Sequence, residues 1–236
     1  MPPRRRGRDW VSKSDLISFL RCPYAFWQID SGALRREEAL DELSSQLIEQ
    51  GREFHAAVAS LAQPLAEPAD LPALLAQEVT LIGVPVMENR ELKIVGARDG
   101  LITAGGALLP IKAKSHRDVR RTDELELAFY WLLLDPLRTR QIDEPQGRLI
   151  LRRDGVPVDI DIEIIPERFD EVRRLVRDIR HARRHGVRPR VCGCVACRGP
   201  LREQIRRRTR DCRDLTLIWG IGRMYVRAGA RSAWDR

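Results

Sequence analysis

The chain has 236 residues, of which 43% are hydrophobic and 32% are charged, a composition that indicates a folded globular protein and excludes a disordered one. No apolar run approaches the length of a membrane span, and the start "MPPRRRGRDW" lacks the apolar region of a secretory signal, so we expect a cytoplasmic protein. The five cysteines are an odd number, which argues against a disulfide framework and favours metal or cluster ligation.

The net charge of +8 is concentrated near the C-terminus. Residues 167–236 contain 20 arginines and 8 acids, whereas the rest of the chain is slightly acidic. A polyanion would be attracted to the basic part, and nucleic acid is the commonest such partner. Solvated arginine-rich helix faces would explain the same charge equally well.

The first half of the chain predicts helices followed by strands. A short helix, "SDLISFLRC", is capped by Ser12 or Ser14 and ended by Pro23, and residues 34–62 have helical periodicity. Three strand regions follow, separated by turn residues: "EVTLIGVPVM", "LKIVGARDGLITAG" and "ALLPIKAKS".

The second half begins with a strongly apolar helix, "TDELELAFYWLLLD", which we expect Thr122 to cap and Pro136 to end. Residues 147–164 predict a hairpin around Asp154-Gly155, and an arginine-rich helix is expected from about 166 to 184. Together these elements predict an α/β fold with a mixed sheet covered by helices.

Two of the four lysines stand close together in "LLPIKAKSHRD", although 42 residues of the chain are basic. On a strand, Lys112 and Lys114 would share one face roughly 7 Å apart, with Ile111 and Ala113 on the other. Asp99 lies upstream in "VGARDGLI", at the junction of a strand and a turn. An acid and a lysine on neighbouring strand ends are typical of metal-dependent phosphodiesterase sites.

Five segments of the chain form an ordered set of motifs ahead of the terminal cysteines: "SKSDLISFLRCPYAFW", "GREFH", "GARDGLI", "PIKAK" and "ELAFY". In this order they resemble the motifs of a RecB-family nuclease of the PD-(D/E)XK superfamily, where the last two stand in place of D/E-x-K and Q-x-x-x-Y. They are also similar to the CRISPR-associated exonucleases of spacer acquisition and to AddB-type nucleases that carry an iron–sulfur cluster.

The resemblance implies a restriction-endonuclease-like sheet and a metal-dependent DNA nuclease that acts on single strands or free ends. His55, Asp99 and the Ala113 carbonyl would hold Mg²⁺ or Mn²⁺. Lys114 would be catalytic, and Glu126 and Tyr130 would belong to the flanking helix motif. The resemblance also implies partner proteins of a DNA repair or CRISPR adaptation complex.

Lys112 departs from the family, because it stands where the motif acid belongs. A cation there adds positive charge where Mg²⁺ should bind and removes an anionic ligand. Three interpretations remain open: an inactive site that leaves a DNA-binding or scaffolding module, a carboxylate supplied by Glu126 or Glu124 of the next helix, or an inactivating substitution.

The cysteines near the C-terminus supply soft ligands suited to iron–sulfur clusters or zinc. "VCGCVACRG" places three of them within six residues. The resemblance implies a structural [4Fe–4S] cluster that joins this segment to Cys22, with zinc as the alternative. The implied ligands are Cys22, Cys192, Cys194 and Cys197, with Cys212 as a substitute for Cys192.

The tail after the cysteines resembles a helix-hairpin-helix motif. Gly220 and Gly222 lie in "WGIGR" between apolar segments, where hairpin amides could hold a DNA phosphate, although a tight turn between packed helices has the same pattern. Nearby basic residues that favour nucleic acid are Arg206, Arg207 and Arg210. We therefore expect a nuclease domain over 9–198 and an arginine-rich helical tail over 199–236.

Overall fold

A computed structural model describes residues 7, 9–33, 42–59, 63–64, 79–82, 86–96, 100–104, 107–137 and 144–186. The chain divides into two compact units. The sheet unit comprises residues 10–13 and 46–174, and the helical unit comprises residues 1–9, 14–45 and 175–236.

The described residues of the sheet unit form two β-sheets. The small sheet consists of β1 (Val11–Ser12), β4 (Met87–Asn89) and β5 (Ile94–Gly96), in the order β1-β5-β4. The described strands of the large sheet are β2 (Gln63–Pro64), β3 (Val79–Ile82), β6 (Gly100–Ala104), β7 (Ala107–Lys114), β8 (Gln146–Arg153) and β9 (Val156–Glu163). Their order is β2-β3-β6-β7-β8-β9, with parallel pairing at β2–β3 and β7–β8 and antiparallel pairing elsewhere, so the sheet is mixed.

Strand β7 carries apolar and basic side chains on opposite faces. Ile111 and Ala113 are buried in a cluster with Phe54 and Val58 of helix α3 (Glu42–Ala59). The alternation of a strand then places Lys112 on the opposite face, toward helix α4 (Arg121–Leu134). Helix α4 is buried along most of its length and connects the parallel strands β7 and β8 as a crossover.

Helix α4 is capped two residues earlier than predicted, at Arg120 and not at Thr122. Its N-cap is Arg120, whose backbone N–H donates to the Asp123 carboxylate at 2.9 Å. Asp123 is fully buried, so this bond satisfies one of its acceptors and fixes the start of the helix.

The predicted hairpin is confirmed between β8 and β9. Asp154 and Gly155 have φ values of 50° and 85°, which are the left-handed conformations that a two-residue hairpin turn requires. The arginine-rich helix is confirmed as α5 (Pro166–His185).

The helical unit joins α1 (Lys13–Arg21), from Ser14 onward, and α2 (Pro23–Asp30) to the second half of α5. Arg183 of α5 binds Asp15 at 3.0 Å and Asp30 at 2.8 Å, and its guanidinium lies over the Phe26 ring. Burial lowers the pKa of Arg183, but the hydrogen bonds that its guanidinium donates to the Asp30 and Asp15 carboxylates, together with their charges, raise the pKa above its ordinary value. The Arg183 guanidinium is therefore paired with two carboxylates while it lies against an aromatic ring.

The predicted α/β class is confirmed as a mixed sheet flanked by helices, consistent with a restriction-endonuclease-like fold. The helical prediction over residues 34–62 is confirmed for Glu42–Ala59, and its two ends lie outside the described residues. Residues 187–236 also lie outside them, so the tail and the boundary after residue 198 stay predictions. In the part of the chain that is described, no helix has the length and apolar character needed to span a membrane.

Two glycine-to-alanine substitutions should change stability in opposite directions. A Cβ at Gly147 would lie 2.9 Å from Leu127 Cδ2 in the interface of β8 and α4, so Gly147→Ala should destabilise the fold by about 1–3 kcal/mol. A Cβ at Gly51 in α3 meets nothing within 4 Å, so Gly51→Ala should stabilise it by up to about 1 kcal/mol. Urea unfolding of both variants measures the two effects, and equal effects would contradict the packing described here.

Candidate functional site

A buried carboxylate, that of Glu126 on α4, lies among three lysines. Lys114 Nζ is 2.5 Å from Oε1, while Lys112 Nζ and Lys13 Nζ are 3.6 and 3.7 Å from Oε2. The Glu126 side chain is only 3% exposed and that of Lys112 only 4%. Three of the four lysines in the chain thus converge on one acid.

Two separate parts of the chain supply these lysines. Lys112 and Lys114 are two positions apart on β7 and therefore share the face toward α4. Lys13 follows β1, which is fixed by parallel pairing with β5, including a bond from Val11 N–H to the Lys93 carbonyl. The ring of Tyr130, one helical turn beyond Glu126, lies 5.9 Å from Lys112 Nζ.

The Glu126 carboxyl is held in its charged form. Burial raises its pKa, but the charges of Lys114, Lys112 and Lys13 and the hydrogen bond from Lys114 together lower the pKa below its ordinary value of 4.5. The lysines therefore stabilise an anion that burial alone would disfavour.

A second acid, Asp123, extends the cluster by one turn of α4. Its Oδ1 lies 3.5 Å from Lys114 Nζ, and its Oδ2 lies 3.2 Å from His116 Nε2. The Nδ1 atom of His116 is buried and makes no hydrogen bond among the described residues. Lys114 thus links two carboxylates, and the imidazole lies at the edge of the same cluster.

The described residues do not fit a divalent cation at this centre. Glu126 Oε2 is buried and accepts no hydrogen bond within the described part of the chain, so one ligand atom is available. However, two ammonium groups lie within 3.7 Å of that atom. At an effective dielectric constant of about 20, each would repel a divalent cation about 4 Å away by about 8 kcal/mol. Within the part of the chain that the structure describes, no three His, Cys, Asp or Glu side chains form a metal-binding group.

Four residues that the sequence singled out lie together: Lys112, Lys114, Glu126 and Tyr130. Ala113 lies on β7 between the lysines, with its side chain in the apolar cluster on the other face. His55 lies in α3, but its side chain is outside the described residues, as is the whole of Asp99. Their proposed metal-binding roles stay predictions.

The N-terminal cysteine lies at a helix start. Cys22 is buried and its Sγ accepts a hydrogen bond from the Ala25 N–H at 3.3 Å, as the N-cap of α2. The remaining cluster and tail candidates all lie in residues 187–236, outside the described part: Cys192, Cys194, Cys197, Cys212, Arg206, Arg207, Arg210, Gly220 and Gly222.

Three residues of the centre were not predicted from the sequence: Lys13, His116 and Asp123. Asp123 precedes Glu126 by three positions, so helical periodicity would have placed it on the same face. His116 follows Lys114 by two positions, but the chain has already left β7 there. No local signal marks Lys13, because only the pairing of β1 with β5 brings it near.

No protein-family model matches the chain, and no curated protein sequence matches it. Among solved structures, the crystal structure of SSO0001 is similar with a TM-score of 0.46 and 14% identity, over 75% of this chain and 77% of that one. The crystal structure of LHK-Exo in complex with dAMP has a TM-score of 0.46 and 12% identity, over 87% and 94%. Both likenesses are distant, so no ligand or residue role is transferred from either protein.

Replacing Glu126 with the similarly shaped glutamine should destabilise the protein by roughly 3 kcal/mol at pH 7, because three ammonium groups lose their counter-charge. The folded-state pKa of Glu126 is lowered, so its contribution is present above about pH 4.5 and is lost as the pH falls through the folded-state pKa. The difference in unfolding free energy between wild type and Glu126→Gln should therefore shrink on acidification below pH 4.5. Chemical denaturation across pH tests this, and a difference that grows in acid would contradict it.

Proposed function

We propose that this chain binds DNA without hydrolysing it. It has a nuclease-type centre in which Lys112 prevents the binding of a divalent metal ion. The observation that carries the proposal is the buried ion pair between Lys112 and Glu126, at 3.6 Å. Lys112 stands where the resembling nucleases have an acid, and its ammonium group faces the carboxylate that would otherwise bind metal. The ordered motifs support descent from a nuclease, and the net charge of +8 supports a polyanionic partner.

The charges of the centre favour an anion over a cation. Lys13, Lys112 and Lys114 supply three positive charges, and the two buried acids supply two negative ones. The side chains of Lys13 and Lys114 are 27% and 19% exposed, so a phosphate could reach both. Lysine acts toward phosphate as a point charge that does not depend on base sequence.

The second candidate is a metal-dependent DNA nuclease in which Glu126 replaces the missing acid. Two features favour it: Lys114 contacts Glu126 directly, and Glu126 Oε2 is a buried acceptor without a hydrogen bond in the described part of the chain. In that case a cation would have to displace Lys112 and Lys13 from the carboxylate. His55, Asp99 and the Ala113 carbonyl would complete the Mg²⁺ or Mn²⁺ site, with Lys114 catalytic.

For the cysteines we propose a structural [4Fe–4S] cluster held by Cys22, Cys192, Cys194 and Cys197, with zinc as the alternative metal. The buried position of Cys22 at the start of α2 supports a structural role. Arg206, Arg207, Arg210 and the glycines at 220 and 222 would contact DNA. The expected setting is the cytoplasm, with single-stranded or free-ended DNA and the proteins of a repair or CRISPR adaptation complex.

A nuclease assay separates the two candidates. End-labelled single-stranded DNA should stay intact with wild-type protein and Mg²⁺ or Mn²⁺, while a gel shift shows binding. Lys112→Glu places a second carboxylate beside Glu126 and should raise the cutting rate by at least about tenfold. Lys93→Glu makes the same charge change at an exposed turn and is the matched control. Cutting by wild type that Lys114→Ala abolishes would establish the second candidate, and wild type that neither binds nor cuts would reject both.

Anaerobic purification tests the cluster. The protein should be brown, contain iron and sulfide, and lose its visible absorption on exposure to air. Cys22→Ser should remove the cluster, whereas Cys212→Ser should retain it. Colourless protein with stoichiometric zinc would instead establish the zinc alternative.

A further inference from the structure

The inner face of the second half of helix α5 packs within the helical unit. Val176, Ile179 and Ala182 are buried there. Arg183 is also turned inward, with a side chain only 9% exposed between Asp15 and Asp30. Arg180 donates to the Asp9 carbonyl at 2.8 Å. These contacts hold the helix in place without using its outer face.

The outer face carries four exposed residues at helical spacing: Arg177, His181, Arg184 and His185. They form what we call the Arg–His strip. Arg184 is bound to the Asp9 carboxylate at 2.8 Å, whereas no acid among the described residues pairs with Arg177. The strip therefore retains positive charge.

The two histidines place aromatic rings next to each other on this basic surface. The centroids of His181 and His185 are 4.6 Å apart, and the ring planes are tilted by 41°. Exposed aromatic rings between arginines are the combination that binds single-stranded nucleic acid, because bases stack on the rings while arginines contact the backbone. Duplex DNA offers no unstacked bases to such rings.

We propose that the Arg–His strip is a binding surface for single-stranded nucleic acid, with His181 and His185 as stacking platforms for bases and Arg177 as a phosphate contact. The proposal rests on the proposed DNA binding and specifies its substrate class. It involves neither the lysine cluster at Glu126 nor the cysteines.

The test measures fluorescence anisotropy of a labelled single strand and of a blunt-ended duplex of equal length, with the full chain over a range of salt concentrations. His181→Ala/His185→Ala should weaken single-strand binding roughly tenfold and change duplex binding less than about twofold, without altering the salt slope. Arg177→Gln should reduce the slope of log affinity against log salt by about 0.7. Arg90→Gln, which removes a 90% exposed arginine from the sheet unit, should leave both quantities unchanged and is the matched control.

Replacement of both histidines by phenylalanine keeps the rings and should preserve single-strand affinity. If wild type binds single strands and the alanine pair binds them equally well, the strip is rejected while the proposed DNA binding stands. If the phenylalanine pair binds as weakly as the alanine pair, stacking is rejected. If wild type binds no nucleic acid, both the strip and the proposed function fail. Circular dichroism spectra matching wild type ensure that a loss of affinity reflects the surface.

Discussion

The attraction of Glu126 for three lysines determines the interior between β7 and α4. Each charged group would be costly to bury alone, since an ammonium or carboxylate loses its hydration on leaving water. Here the carboxylate contacts Lys114 at 2.5 Å and has Lys112 and Lys13 within 3.7 Å, so the charges are mutually compensated. Removing Glu126 would take away the carboxylate that all three lysines share. The strand, the helix and the segment after β1 are consequently constrained by one set of contacts.

The chain uses lysine where it needs a compact charge and arginine where it needs a planar one. Its basic residues are overwhelmingly arginine, yet the interior cluster is built from lysine. A lysine stem is narrow and flexible, so three ammonium groups can approach one carboxylate from different elements. Arg183, in contrast, uses its flat guanidinium to bind Asp15 and Asp30 while lying over Phe26. Exchanging the two residue types at these positions would not be conservative.

Much of this architecture was predictable from local patterns. The alternation in "PIKAK" predicted two lysines on one face and apolar residues on the other, and β7 has this arrangement. The Asp154-Gly155 turn likewise fixed the β8–β9 hairpin, because few residues adopt positive φ readily. Such signals are contained within a few neighbouring residues, so no tertiary information is needed to interpret them.

The composition of the centre was less predictable. Lys13 reaches it through pairing between β1 and β5, and Arg120 caps α4 because Asp123 turns back to its backbone. Both depend on contacts that propensity and periodicity do not encode. The role of Lys112 could not be determined from the sequence either. Its partner is Glu126, which lies opposite it only because β7 packs against α4.

The crossover from β7 through α4 to β8 has a consequence for how such a centre can change over time. Lys112, Lys114, Asp123 and Glu126 all belong to one continuous stretch of chain, in which a strand is followed directly by the helix that covers it. The charge pattern of β7 and α4 is therefore encoded within residues 112–126, so substitutions in that stretch alone can redistribute these interior charges.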